Sequence, residues 1–351
     1  MGLWPRALAR RVLEGALTLT STLASNLHHD SPWVEPAICE LCGSRDVVTY
    51  HAYASHRLLR CTICQLVFQE SSRREKSAAL IPQIYNQTWV DERRAQSINT
   101  FLQHALFGVN LLGMFVPRPG LLLEIGSGTG EFAYMARCAG WNVVGVEPSE
   151  AACRYASSEF GLDLIHSIWS EELPEASIRY DAIAFWHVLE HIAEPVAFLR
   201  EMAGMLAPGG RVLFSVPNLR SLTNAIMGVD SPLLLEVDHL FHFAVPHVLK
   251  MLNLAELEPT SIFSRQEPTR METDVALGAT MSGEFAAMGV HQKLGLLANL
   301  QAHHEGHEIV CVARLRGGAG GGEKGEMPAA ESRSATSRGE AWIDCGSDDR
   351  Q

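Results

Sequence analysis

Residues 121–130, LLLEIGSGTG, restrict what this chain can fold into more than any other stretch. Leu121, Leu122, Leu123 and Ile125 form a short, nearly continuous apolar run, the pattern of a parallel strand covered on both faces. Gly126, Gly128 and Gly130 follow, with Ser127 between the first two. That spacing lets the backbone turn sharply and approach a ligand without a Cβ in the way. The next residues, EFAYMARC, continue at helical spacing. A strand, a glycine turn and a helix in this order open a doubly wound α/β unit, and such units bind ligands at the carboxyl ends of their strands.

The residues around the turn select the ligand. No Lys-Ser or Lys-Thr follows the glycines, which excludes a P-loop, and Glu131 stands after the third glycine, outside the dinucleotide spacing. Glu124 lies two residues before the first glycine. A carboxylate aimed into a phosphate cradle would repel its ligand, so this cradle suits a cation or hydroxyl groups. The next strand, WNVVGV, ends at a second acid, Glu147, followed by Pro148. An acid at that place accepts the two hydroxyls of a ribose. Glycines, an acid beside them and a ribose acid together fit S-adenosylmethionine, an adenosine carrying a charged amino acid.

The whole segment LLEIGSGTGEFAYMARCAGWNVVGVEPS resembles the first two motifs of class I S-adenosylmethionine-dependent methyltransferases. YDAIAFWHVLEHIAEP and LAPGGRVLFSVPN resemble the later motifs, in the same order. The resemblance covers roughly residues 121–315. It implies a Rossmann-like, mostly parallel seven-stranded sheet whose last strand, 307–315, is inserted antiparallel. It further implies that Ser167 and Ile168, after the third strand, flank the adenine. The segment after the fourth strand, with Trp186, His187, Glu190 and His191, would face the sulfonium and the methyl acceptor, which makes His187 a cofactor contact as well. A mostly helical segment before the first strand would pack over the cofactor, with Tyr85 and Trp89 as core residues or contacts.

Four of the eight cysteines cluster as Cys39-x-x-Cys42 and Cys61-x-x-Cys64, eighteen residues apart. Two thiolates at this spacing sit on one tight knuckle, and two knuckles complete a closed tetrahedral zinc site, which is structural because it keeps no open position. Gly43 follows the first pair, where a knuckle favours a left-handed residue; Gln65 follows the second and departs from that pattern. VVTYHAY and SHRLLRC between the pairs read as short strands, so a small zinc ribbon is expected, with His51 and His56 on its surface. The lone cysteines and the absence of a disulfide framework suit a reducing cytoplasm.

The expected organisation is an N-terminal extension over 1–36, helical or poorly ordered, a ribbon over 37–70, a linker and helical cap over 71–116, the methyltransferase domain over 117–315 and a disordered tail over 316–351. The net charge of −12 argues against a grip on nucleic acid. No apolar run is long enough to span a bilayer. The Asn/Asp-Pro-Pro-aromatic signature of amino methylation is absent after the fourth strand.

The four-cysteine segment and HLFHF, in an insertion over 219–246, look like bacterial small-molecule methyltransferases. The expectation is O- or C-methylation of a sugar, polysaccharide precursor or quinone-like metabolite. A zinc-bearing RNA methyltransferase and a non-catalytic cofactor-binding scaffold are the alternatives. No catalytic metal is implied. The reaction needs alignment and, for a weak acceptor, a base. His239 is the first candidate and His187 the second, with His191 and His242 nearby in sequence. Asp238 adjoins His239, but adjacency alone does not show that it orients the ring.

Overall fold

The structure, a computed structural model, describes residues 37–70, 77–95, 98–168, 177–266 and 288–317. The extension over 1–36, most of the charged linker, most of the loop SEELPEAS and the tail beyond 317 lie outside the described residues. The strands are β1 Val47–Ala52, β2 Arg57–Cys61, β3 Val67–Gln69, β4 Leu121–Ile125, β5 Asn142–Glu147, β6 Ile165–His166, β7 Tyr180–Trp186, β8 Leu206–Pro217, β9 Phe241–His242, β10 Leu257–Arg265 and β11 Glu308–Leu315. Seven of them form one mostly parallel sheet in the order β10-β11-β8-β7-β4-β5-β6, and β1-β2-β3-β9 form a second. By packing, the chain divides into two compact units that interleave along the sequence.

One unit runs from Tyr85 to Ile183 with residues 206–211. In it β4 pairs parallel with β5, from Leu121 opposite Asn142 to Ile125 opposite Val146, and β5 pairs parallel with β6. Leu122, Leu123 and Ile125 are buried, as a strand covered on both faces requires. The third strand, read from LDLIHS, is only two residues long, because Asp163 and Leu164 lead into it without pairing. Helix Glu150–Phe160 is capped at both ends. The Ser149 hydroxyl accepts from the Ala152 N–H at 3.1 Å, and Gly161 closes the helix in the left-handed region at φ 58°. The helical cap includes helices Gln87–Ala95 and Ile98–Phe115.

The other unit holds residues 37–84, 184–205 and 212–314 among those described. Here β11 runs antiparallel to β8, from Glu308 opposite Pro217 to Ala313 opposite Val212. Phe185, Phe198 and Phe214 are fully buried around this region, with Phe185 stacked on Phe214 at 4.9 Å. The cysteine segment forms the hairpin β1-β2 and the short β3, but its sheet does not end there. Strand β9, from the 219–246 insertion, adds to β3 antiparallel, with Val67 opposite His242 and Phe68 opposite Phe241.

His56 is a correction: it is buried, not on the surface. Its Nε2 lies 3.1 Å from the Leu234 carbonyl, its Nδ1 2.9 Å from the Ser55 hydroxyl, and its ring stacks on Tyr53. His187 and His191 do not share a helical face, because His187 adopts φ 54° and residues Leu189–His191 form a single 3₁₀ turn before helix Pro195–Met205.

Candidate functional site

The cradle lies at the carboxyl end of β4. Gly126, Gly128 and Gly130 all have positive φ, at 70°, 56° and 90°. At Gly130 a second constraint applies: a Cβ would stand 2.9 Å from Leu162 Cδ1 and 3.0 Å from Ala156 Cβ. Glycine is needed there by conformation and by packing alike. The Gly126 and Ser127 N–H groups both donate to the Val146 carbonyl, at 2.8 and 3.2 Å, which pins the turn to β5.

Two carboxyls flank the turn, and both are buried. Glu124 is 2% exposed, and its Oε2 meets no donor among the described residues. Burial pushes its pKa up to about 8, reinforced by the nearby Glu131 and Glu147 charges and opposed by Ser127. Glu147 sits at the tip of β5. Its Oε2 accepts from the Gly128 N–H at 2.7 Å and its Oε1 from the Ser149 N–H at 2.8 Å. These bonds fix the plane of the carboxylate and leave each oxygen a further lone pair. Burial raises its pKa and the two backbone donors lower it, leaving it at about 6. Pro148, Ser167 and Ile168 lie beside this acid. The Ser167 N–H donates to the Glu147 carbonyl at 3.2 Å, the Ser167 hydroxyl donates to the Ile168 carbonyl at 3.0 Å, and His166 Nε2 is 3.1 Å from the Pro148 carbonyl.

The same unit brings in Arg93 and Thr129, which the sequence reading missed, beside Tyr85 and Trp89, which it named. Arg93 Nε donates to the Thr129 hydroxyl at 2.7 Å and its guanidinium lies 3.5 Å from Glu131, tying helix Gln87–Ala95 to the glycine turn. The Ser149 hydroxyl donates to the Tyr85 carbonyl at 2.5 Å. Trp89 packs edge-on against Tyr85, and its Cη2 would be 3.8 Å from a Cβ on Gly128. Arg93 stands in the charged run DERR, where nothing local singles it out from its neighbours.

In the other unit, the four cysteine sulfurs lie within 4.8 Å of one another. The Cys39–Cys64 and Cys42–Cys61 pairs are each 3.5 Å apart. A tetrahedral zinc with Zn–S bonds of about 2.3 Å places its sulfurs about 3.8 Å apart, so the group fits. The two knuckles match in backbone. The Gly43 N–H donates to Cys39 O at 2.7 Å and the Gln65 N–H to Cys61 O at 3.0 Å, with φ 73° and 66°. Gln65 thus takes the left-handed shape without being glycine, and its side chain donates to the Thr62 carbonyl at 2.6 Å.

His187 and His239 also belong to this unit, and with His191 they gather around Glu190, which is fully buried. His187 Nδ1 lies 3.4 Å from Glu190 and its Nε2 2.9 Å from Glu308, which also pairs with Arg265. Burial pulls the His187 pKa down, but the bonds to Glu190 and Glu308 outweigh it and raise it to about 9. His191 Nδ1 is 3.0 Å from the Asp238 carbonyl. The ring of His191 meets that of His239 edge-on at 4.9 Å. His239 is buried, with Nε2 2.6 Å from Glu236 and Nδ1 3.4 Å from the Leu233 carbonyl. Asp238, next in sequence to His239, pairs with His191 instead, and Glu236 orients His239. Burial lowers the His239 pKa, and Glu236 overcomes this and leaves it raised. His242 is buried and held neutral by burial.

Residues 92–261, a little under half the chain, match the family model of a methyltransferase domain. That segment matches a methyltransferase domain, and the mostly parallel seven-stranded sheet is Rossmann-like. Among curated proteins it is similar to a ubiquinone biosynthesis O-methyltransferase of Aliivibrio fischeri (strain MJ11), at 30% identity over 152 residues, 40% of this chain and 65% of the relative. It is 33% identical over 154 residues to the protein of that name in Dinoroseobacter shibae, covering 41% of this chain and 62% of the relative. The chain thus spans less than two thirds of the length of these relatives. Among solved structures it is similar to magnesium protoporphyrin IX methyltransferase from Synechocystis PCC 6803 with bound SAH, at 14% identity and a TM-score of 0.46, covering 68% of this chain and 99% of that one. A possible histamine N-methyltransferase from Thermotoga maritima scores 0.44 at 17% identity, covering 66% of this chain and 98% of that one. No described helix is long and apolar enough to cross a membrane.

Proposed function

We propose that this chain transfers a methyl group from S-adenosylmethionine to an oxygen or carbon of a small-molecule acceptor, with zinc held structurally by Cys39, Cys42, Cys61 and Cys64. The observation that carries the reading is Glu124, a buried carboxyl beside three positive-φ glycines, whose Oε2 meets no donor among the described residues. Leaving such an atom unpaired is costly, and an ammonium group placed there removes the cost. The methionine end of the cofactor is therefore assigned to Glu124 and the turn over 126–130, including Ser127. The ribose is assigned to Glu147, and the adenine to the region of Pro148, Ser167 and Ile168. The bound cofactor supplies a methyl group already made electrophilic by the sulfonium.

What the chain must add is proton handling for an acceptor hydroxyl. His187 is a poor base, because both of its ring nitrogens are engaged by buried carboxylates, Glu190 and Glu308, and neither is open to a hydroxyl. His239 suits the task better. Glu236 at its Nε2 supports the imidazolium formed when Nδ1 takes a proton, the division of labour of a histidine oriented by a carboxylate. The relatives' name, an O-methyltransferase of quinone biosynthesis, favours oxygen as the atom methylated. The purified chain, given methyl-labelled S-adenosylmethionine and a small-molecule extract, should place label in a low-mass product. His239→Ala should lower kcat for that product by about 10²–10⁴-fold with unchanged cofactor affinity. Label appearing in RNA alone, or cofactor binding with no transfer to any acceptor, would reject the reading in favour of the RNA enzyme or the scaffold.

A further inference from the structure

The cysteine knuckles and the histidine segment are joined by a short run of chain. Strand β3 begins three residues after Cys64, the last ligand, and the knuckle turn is closed by the Cys61 N–H donating to Leu66 O at 3.0 Å. Its last residue, Gln69, is fully buried. The Gln69 side-chain amide donates twice, to the Val237 carbonyl at 3.0 Å and the His239 carbonyl at 2.9 Å, while its backbone N–H donates to Leu240 O at 2.8 Å. Three carbonyls of residues 237–240 are thus held by one residue. A second link starts from a ligand itself. His247 accepts from the Ala244 N–H at Nδ1, so its Nε2 carries the proton, and it donates to the Cys64 carbonyl at 2.8 Å. Strand β9 pairs at only two positions, too few to hold a register unaided.

We propose that Gln69 is a positioning residue for His239, and that metal in the four-cysteine site sets the geometry of residues 236–243 through β3. The zinc site is thereby the template of the acceptor-side segment rather than a separate module. The inference rests on the reading that this segment serves the acceptor, and it makes a claim that can be measured without an acceptor.

The test is amide hydrogen exchange on the full chain, zinc-loaded and after chelation, and on zinc-loaded Gln69→Leu, which keeps the volume and loses both donors. Zinc content is measured alongside. Chelation and Gln69→Leu should each speed exchange over 236–243 on the order of tenfold or more. Amides of 121–147 should keep their rates, and S-adenosylhomocysteine affinity should stay within about twofold. Gln69→Leu should still hold one zinc per chain. In ¹⁵N spectra the His239 ring nitrogens should move in both samples. Unchanged exchange and unchanged His239 signals in zinc-loaded Gln69→Leu would overturn the proposal, even if chelation unfolds the chain as a whole. Should Gln69→Leu fail to fold, unchanged exchange on chelation would overturn it. Normal turnover in His239→Ala would remove the base assignment and leave these exchange results standing, so the two readings fail separately.

Discussion

Cofactor binding should expel a proton from Glu124. Burial holds this carboxyl at a pKa of about 8. At pH 7 roughly nine chains in ten then carry a proton there, which an arriving ammonium must displace. The apparent affinity for S-adenosylhomocysteine should therefore rise on the order of tenfold between about pH 6.5 and 8, at about 1.4 kcal/mol per pH unit on the steep part, and fall again as the ligand's own ammonium deprotonates at higher pH. The window lies above the Glu147 pKa of about 6, so that acid contributes little to it. Calorimetry at pH 7 in buffers of different ionisation enthalpy should count close to one proton released. Glu124→Gln should release almost none and show a flat profile.

The sign for the free protein is opposite. A carboxyl whose folded pKa is raised favours folding fully below its unfolded value, about 4.5. That contribution is lost as pH rises through about 8, so the cofactor should protect against unfolding more strongly at the alkaline end. A wild type that releases no proton at pH 7, or a Glu124→Gln that keeps the pH dependence, would refute the assignment of the ammonium to Glu124.

Two further outcomes are expected in the same unit. Glu147→Ala should weaken S-adenosylhomocysteine by a charge-assisted hydrogen-bond pair, on the order of 1.5–3 kcal/mol per bond; calorimetry showing unchanged affinity would remove the ribose assignment. Gly130→Ala should destabilise the protein by about 1–3 kcal/mol, because its Cβ must fit against Leu162 and Ala156 at φ 90°; a thermal melt at the wild-type midpoint would contradict the packing.

The cradle was legible because its information is local. A buried strand, three glycines and the acids Glu124 and Glu147 each stand at the end of an element that the apolar pattern delimits. The cysteine knuckles were legible for the same reason, since ligand spacing is a property of one turn. The histidine cluster was not. Glu236 rather than Asp238 meets His239, because helix Pro232–Leu235 ends just before a turn that returns Glu236 to the ring, and the His239 N–H donates to Glu236 O at 3.4 Å. Glu308, which holds His187, is 121 residues away on the antiparallel strand. His187 and His191 stand four residues apart, the spacing of one helical face, but the left-handed backbone at His187 prevents such a helix. The Glu308 contact is set by topology, and no window of sequence contains it, whereas Glu236 stands only three residues from His239 and meets it through the shape of the turn between them.

The pairing of β3 with β9 also orders events in time. All four cysteines precede residue 65, so the knuckles can take metal while the ribosome is still making the chain. The partners of Gln69 lie 168 and 170 residues downstream. Closing a loop of that length costs about 4–5 kcal/mol of chain entropy, and nothing repays it until the downstream strand has been synthesised. During that interval Val67 and Phe68 sit on an open strand edge, the feature through which nascent chains pair with one another. Early metal loading would shorten the search by holding β3 in its final shape. The yield of soluble protein should therefore depend on zinc supplied during synthesis more than on zinc added afterwards.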